Sequence, residues 1–142
     1  MENTILAPAA VLVLWSIIML IWMASTRLPA IAKLGVDLKT APPGGRGQEM
    51  DLTVPPSVAW KSHNYTHLME QPTLFYAVVG ILALAGQGGG LNTALAWGYV
   101  GLRIAHSIWQ ATVNKIPVRF ALFLASTICL AILAVRAVIA TI

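Results

Sequence analysis

The stretch GYVGLRIAHSIWQATVNKIPVRFALF, Gly98 to Phe123, decides how this chain is read. It is hydrophobic enough for a membrane helix, yet it carries an arginine, which such a helix normally excludes. Arg103, His106, Ser107, Gln110 and Asn114 return at steps of three and four, which is helical spacing. They predict a polar stripe on an otherwise greasy helix. A few residues on, Pro117 and Arg119 open the next apolar run. A charge within a bilayer costs a few kcal/mol at least, so it faces protein or water and marks a functional site.

Composition agrees with a membrane setting. Of 142 residues, 58% are hydrophobic and only 10% charged. A soluble domain of that size cannot hide so much apolar side chain. Five tryptophans are scattered along the chain, several near the ends of apolar runs, as interfacial aromatics are. The net charge of +4 is not clustered, so no nucleic-acid partner is expected; Lys and Arg set orientation instead. The lone Cys129 sits in an apolar run as a small hydrophobe.

Taken in order, the chain predicts an all-α membrane protein, a bundle of four transmembrane helices in one domain. Spans are expected at about 4–25, 70–86, 91–113 and 118–141, with a loop at about 29–60. Glu2 stands where a secretory leader would be positive, so the first span reads as retained. Thr26 to Pro29 close it, and Arg27 there either snorkels to the headgroups or reaches into an interhelical site. Ala30 to Leu38 has the spacing of a short interfacial helix. Ala41 to Ser57, dense in Pro and Gly, reads as an exposed loop. Gly44-Gly45-Arg46-Gly47 within it has neither the preceding strand nor the lysine of a phosphate loop.

Ser57 to Glu70 is amphipathic, with His63, Asn64, His67, Glu70 and Gln71 on one face. His63 and His67 are spaced as metal ligands, but no HExxH order or cysteine accompanies them, and no metal is expected. Arg136, near the far end of the fourth span, is placed to snorkel outward. The first connection holds Arg27, Lys33, Lys39, Arg46 and Lys61, and the third holds Lys115. These connections are therefore expected in the cytoplasm and both chain ends outside. Every span then brings a polar group to the cytoplasmic half of the bilayer. Such a cluster suits an anionic, peptide-like ligand: arginines pair with carboxylates in forked geometry, and an arginine beside a thiol favours the thiolate. The plainer alternative is that Glu70 and Arg103 only neutralise each other.

RIAH at Arg103 to His106, NKIPVRFALF at Asn114 to Phe123 and MEQPTLFYA at Met69 to Ala77 together resemble the MAPEG family. These are membrane-associated proteins of eicosanoid and glutathione metabolism, and the wording is similar to the family's bacterial branch. The resemblance spans about Trp60 to Ile132, with Arg27 matching in position. It implies a homotrimer in a bacterial inner membrane, binding glutathione as co-substrate between subunits in the cytoplasmic half. Carried over by position, Arg119 is the thiol-activating, catalytic residue. Arg27, His67, Glu70, Arg103, His106 and Gln110 are glutathione-binding or scaffold residues. The chain departs from the family at His63, His67, Gln110 and Phe123, where the eukaryotic enzymes have arginine, asparagine, tyrosine and a second hydroxylated aromatic.

Two main readings follow. One is a transferase or peroxidase joining glutathione to lipophilic electrophiles that enter from the lipid bilayer. The other is a non-enzymatic relative that binds a lipid or a protein. A proton-coupled exporter using Glu70 is a third, weakened because Glu70 begins a helix beside a long loop rather than lying deep in a span.

Overall fold

A computed structural model describes residues 3–142, so Glu2 lies outside the described residues. The chain forms helices α1 (Leu6–Lys33), α2 (Pro56–Leu68), α3 (Pro72–Leu84), α4 (Gly90–Thr112) and α5 (Ile116–Thr141). A 3₁₀ segment, Gly47–Leu52, interrupts the first loop, and no strand occurs among the described residues. The expected all-α membrane architecture is present. Three segments are long and apolar enough to cross a bilayer: Leu6–Lys33, Pro56–Leu84 and Ile116–Thr141. With 23 residues α4 is long enough too, about 35 Å at the helical rise, but its polar stripe keeps it out of that group.

Proline chemistry sets most boundaries, and one of them corrects the sequence reading. Prolines stand in the first turns of α2, α3 and α5, where a missing N–H costs nothing. Pro29 was expected to end the first span, yet α1 runs through it to Lys33. The continuation buries Ile31 against Val54 and Ala59, which offsets the hydrogen bond that the proline removes. No separate interfacial helix exists at Ala30 to Leu38. The loop is also shorter than expected, since α2 begins at Pro56.

The second apolar segment, Pro56–Leu84, is made of two 13-residue helices, and the second of them, α3, falls within the 70–86 expected for the second span. Pro72 cannot donate to the carbonyl four residues earlier, so the chain tightens into a turn at Met69–Gln71. Glu70 N–H bonds His67 O at 3.2 Å and Thr73 N–H bonds Glu70 O at 3.2 Å. Gln71 then ties the break to its neighbours. It accepts from Tyr99 Oη at 3.1 Å and donates to Thr127 Oγ1 at 3.0 Å.

Successive segments run antiparallel. At one end the start of α1 meets the α3–α4 turn, where Ile5 N–H bonds Gly88 O at 2.9 Å. Arg136 of α5 reaches Asn92 of α4 near that same end, pairing inward rather than snorkelling outward. At the other end Lys61 of α2 donates to Ala111 O of α4 at 3.4 Å. The apolar core belongs to the α3 half: Leu12, Phe75, Val79, Leu82, Tyr99, Val100 and Leu133 are almost wholly buried. Phe75 stacks on Tyr99 with ring centroids 4.4 Å apart. The α2 half is packed differently, and the candidate site lies there.

Candidate functional site

The helical stripe of α4 is buried as a unit. Arg103, His106, Ser107 and Gln110 are all buried, and Arg103 is 0% exposed. Facing them, α2 presents the half-buried His67; Ser62 and Asn64 of the same helix are also buried. Arg103 Nη2 meets His67 Nδ1 at 2.6 Å. A guanidinium only donates, so His67 accepts through Nδ1 and carries its proton on Nε2. The His67 ring stacks on His106 with centroids 4.9 Å apart and an interplanar angle of 24°. Phe123 closes the group from α5, edge-on to His67 at 5.5 Å and 5.9 Å from the Arg103 guanidinium carbon.

This corrects the expectation that Glu70 pairs with Arg103. Among the described residues no carboxylate lies within ion-pair distance of Arg103. The turn at Met69–Gln71 breaks the helical register, and Glu70 faces solvent. Arg103 consequently leaves Nε and Nη1 without a partner, as do both polar atoms of Asn64 and Oε1 of Gln110. Buried polar atoms without partners are uncommon and mark places where a ligand or water completes the structure.

Arg119 is placed by the end of α4. Asn114 takes the left-handed conformation, φ 56°, which stops the helix as asparagine tolerates better than most residues. Its N–H bonds Trp109 O at 2.7 Å, and its Oδ1 accepts from Arg119 Nη1 at 2.6 Å. Arg119 is thereby held, half-buried, in the first turn of α5. It lines a cavity of about 190 Å³ with His67, His106, Ile116, Phe120 and Phe123. A second cavity, about 440 Å³, is lined by Gln48, Asp51, Leu52, His63, Thr66, His67 and Glu70. His67 is the wall common to both.

The expected site residues therefore divide. His67, Arg103, His106 and Arg119 come together, and Glu70 borders the adjoining cavity. Gln110 lines neither cavity and lies buried behind them. Arg27 is committed elsewhere: Nη2 donates to Asp51 Oδ1 at 3.0 Å and also to Ser62, whose hydroxyl donates to Asp51 Oδ2 at 2.9 Å. His63 lies 3.7 Å from the same carboxylate. This cluster pins the 3₁₀ segment onto α1 and α2. A Cβ on Gly47 would lie 2.5 Å from Arg27 Nη1, so the guanidinium uses the space that glycine leaves. Sequence reasoning missed Asp51; its only signal was being one of two acids, with Glu49, in a Pro/Gly-rich loop. Among the described residues no three His, Cys, Asp or Glu side chains are grouped to hold a metal.

Comparison with known proteins adds one finding. The model of the MAPEG family matches residues 5–139, nearly the whole chain. No curated protein and no solved structure matches it.

Proposed function

The chain belongs to the MAPEG family, and from that premise we propose that it is a glutathione-dependent transferase or peroxidase acting on lipophilic electrophiles. The observation that carries this reading is Arg119, held by Asn114 at the rim of a cavity whose other walls are two imidazoles, two phenyl rings and Ile116. When bound, glutathione supplies the nucleophilic sulfur. Arg119 spends Nη1 on Asn114 and keeps other donors for an anion, so it would hold negative charge in an environment of low dielectric. The orphaned donors of Arg103 fit the same anionic ligand. The 440 Å³ cavity beyond His67 is of a size that suits small-molecule ligands. Phe120, 60% exposed beside Arg119, gives an apolar route from the bilayer.

In this reading α4 is the third of four spans, the first loop is cytoplasmic, and the protein works as a homotrimer in a bacterial inner membrane. The basic residues of the first loop support the orientation. The test is turnover of an aryl halide with glutathione by wild type, Arg119→Lys and Arg119→Ala. Arg119→Ala should lower turnover by about 100-fold while the oligomer survives, with Arg119→Lys in between. Unchanged turnover in Arg119→Ala would remove the assigned role.

A non-enzymatic lipid- or protein-binding role is favoured by a separate observation. Gln110, at the position of a ligand tyrosine in the resemblance, points into neither cavity. In that case no conjugation would occur with any electrophile.

A further inference from the structure

The end of the bundle opposite the candidate site holds one charge. Among the described residues, 3–26, 71–102 and 120–142 contain no charged side chain except Arg136. Arg136 stands 20 residues after Ile116 along α5, about 30 Å at the helical rise. That is the thickness of a hydrocarbon core, so Arg136 reaches the headgroup boundary when α5 spans. Its orientation is fixed. Nε donates to Asn92 Oδ1, and Asn92, 2% exposed, is itself held by its Nδ2 on Gln87 O at 2.8 Å. The other two guanidinium nitrogens have no partner among the described residues, and the half-buried side chain brings them to the outside of the bundle. Arginine keeps its proton, so the charge draws its counterion from outside the chain. On the same side of α5, Ile132 and Ile128 follow at steps of four and are 42% and 53% exposed. They lead from the guanidinium towards mid-membrane, as acyl chains do.

We propose that Arg136, oriented by Asn92, is a binding site for an anionic phospholipid, its phosphodiester on the guanidinium and one acyl chain along Ile132 and Ile128. The two free N–H edges match two phosphate oxygens, the forked pairing that a planar guanidinium favours. A headgroup of net negative charge suits the site better than a zwitterionic one, whose ammonium would meet an arginine with no carboxylate beside it. Inorganic phosphate offers the same oxygens without the chains, and the experiment separates the two sources. The site lies at the far end of the bundle from His67 and Arg119 and stands whether or not the protein conjugates thiols.

The full chain is stripped of lipid in an uncharged detergent, and Tm is followed as phosphatidylglycerol is added. A saturating rise of about 5 °C is expected, with a much smaller one from phosphatidylcholine of the same chains and none from inorganic phosphate. Arg136→Gln should abolish the rise. Arg136→Lys, which keeps the charge without the fork, should raise the half-saturating concentration about tenfold; should Arg136→Gln not fold, this variant decides. Lys33→Gln combined with Lys39→Gln, at the other end of the bundle, should leave the response unchanged. No rise with any lipid, an equal rise with phosphatidylcholine, or a rise undiminished in the Arg136 variants overturns the proposal. Loss of the rise in the double lysine variant also overturns it, moving the lipid to the first loop. A full rise from inorganic phosphate alone overturns it as well, assigning Arg136 to a soluble anion.

Discussion

Helices α2 and α3 follow one another along one side of the bundle and are each 13 residues long. They bury opposite kinds of surface. The buried side chains of α3 include Phe75, Val79 and Leu82; α2 buries the polar Ser62 and Asn64 beside the apolar Ala59 and Leu68, with His67 half-buried. One half is sealed by packing, the other is assembled from polar groups that are partly unsatisfied. Buried polar atoms without partners subtract from stability. The fold is therefore held by the α3 half, and the α2 half gives up stability where Arg103, His67, His106 and Arg119 come together. Arg27 marks the edge of that compromise, since its charge is balanced within the chain.

Substitutions in each half can break or sharpen this contrast. The largest effect is expected in the sealed half: Phe75→Ala leaves a cavity against Tyr99 and should cost about 4 kcal/mol in denaturant titration. A cost below 1 kcal/mol would mean that the α3 half is not the stabilising one. Next comes Asp51→Ala, which strands Arg27 and frees the 3₁₀ segment. It should cost about 3 kcal/mol and, by loosening the loop, speed tryptic cleavage at the already exposed Arg46. At the junction, Tyr99→Phe removes the hydroxyl that holds Gln71 and should cost about 1 kcal/mol. The smallest effect is expected at Asn64, whose two polar atoms have no partner. Asn64→Leu should leave Tm unchanged or raise it, because replacing an unsatisfied amide by an apolar group of similar volume is close to neutral. A fall of several degrees would show that Asn64 contributes to the fold.

The polar stripe of α4 was legible because an unbroken helix preserves its periodicity for 23 residues. Arg103, His106 and Gln110 were found by counting alone. The partner of Arg103 was not, for a physical reason. Counting from His67 to Glu70 assumes one continuous helix, and the turn imposed by Pro72 rotates Glu70 out to solvent. Pro29 misled in the opposite sense: its local preference to stop α1 lost to the burial of Ile31 against Val54 and Ala59. Arg27 and Asp51 are 24 residues apart across a loop, and no periodicity links a loop carboxylate to a helix end. Asn92 hid likewise as the partner of Arg136, because both sit in apolar context with no pattern between them. Local pattern reported the helices. Tertiary contact decided which charges meet.

The central claim is that Arg119 and its neighbours bind glutathione. Calorimetric titration of the detergent-solubilised protein tests it most directly. Wild type should give saturable heat at millimolar glutathione or below, and Arg119→Ala should abolish it while keeping its oligomeric state. No heat from wild type at millimolar ligand would contradict the claim and leave the protein a lipid- or protein-binding member of its family.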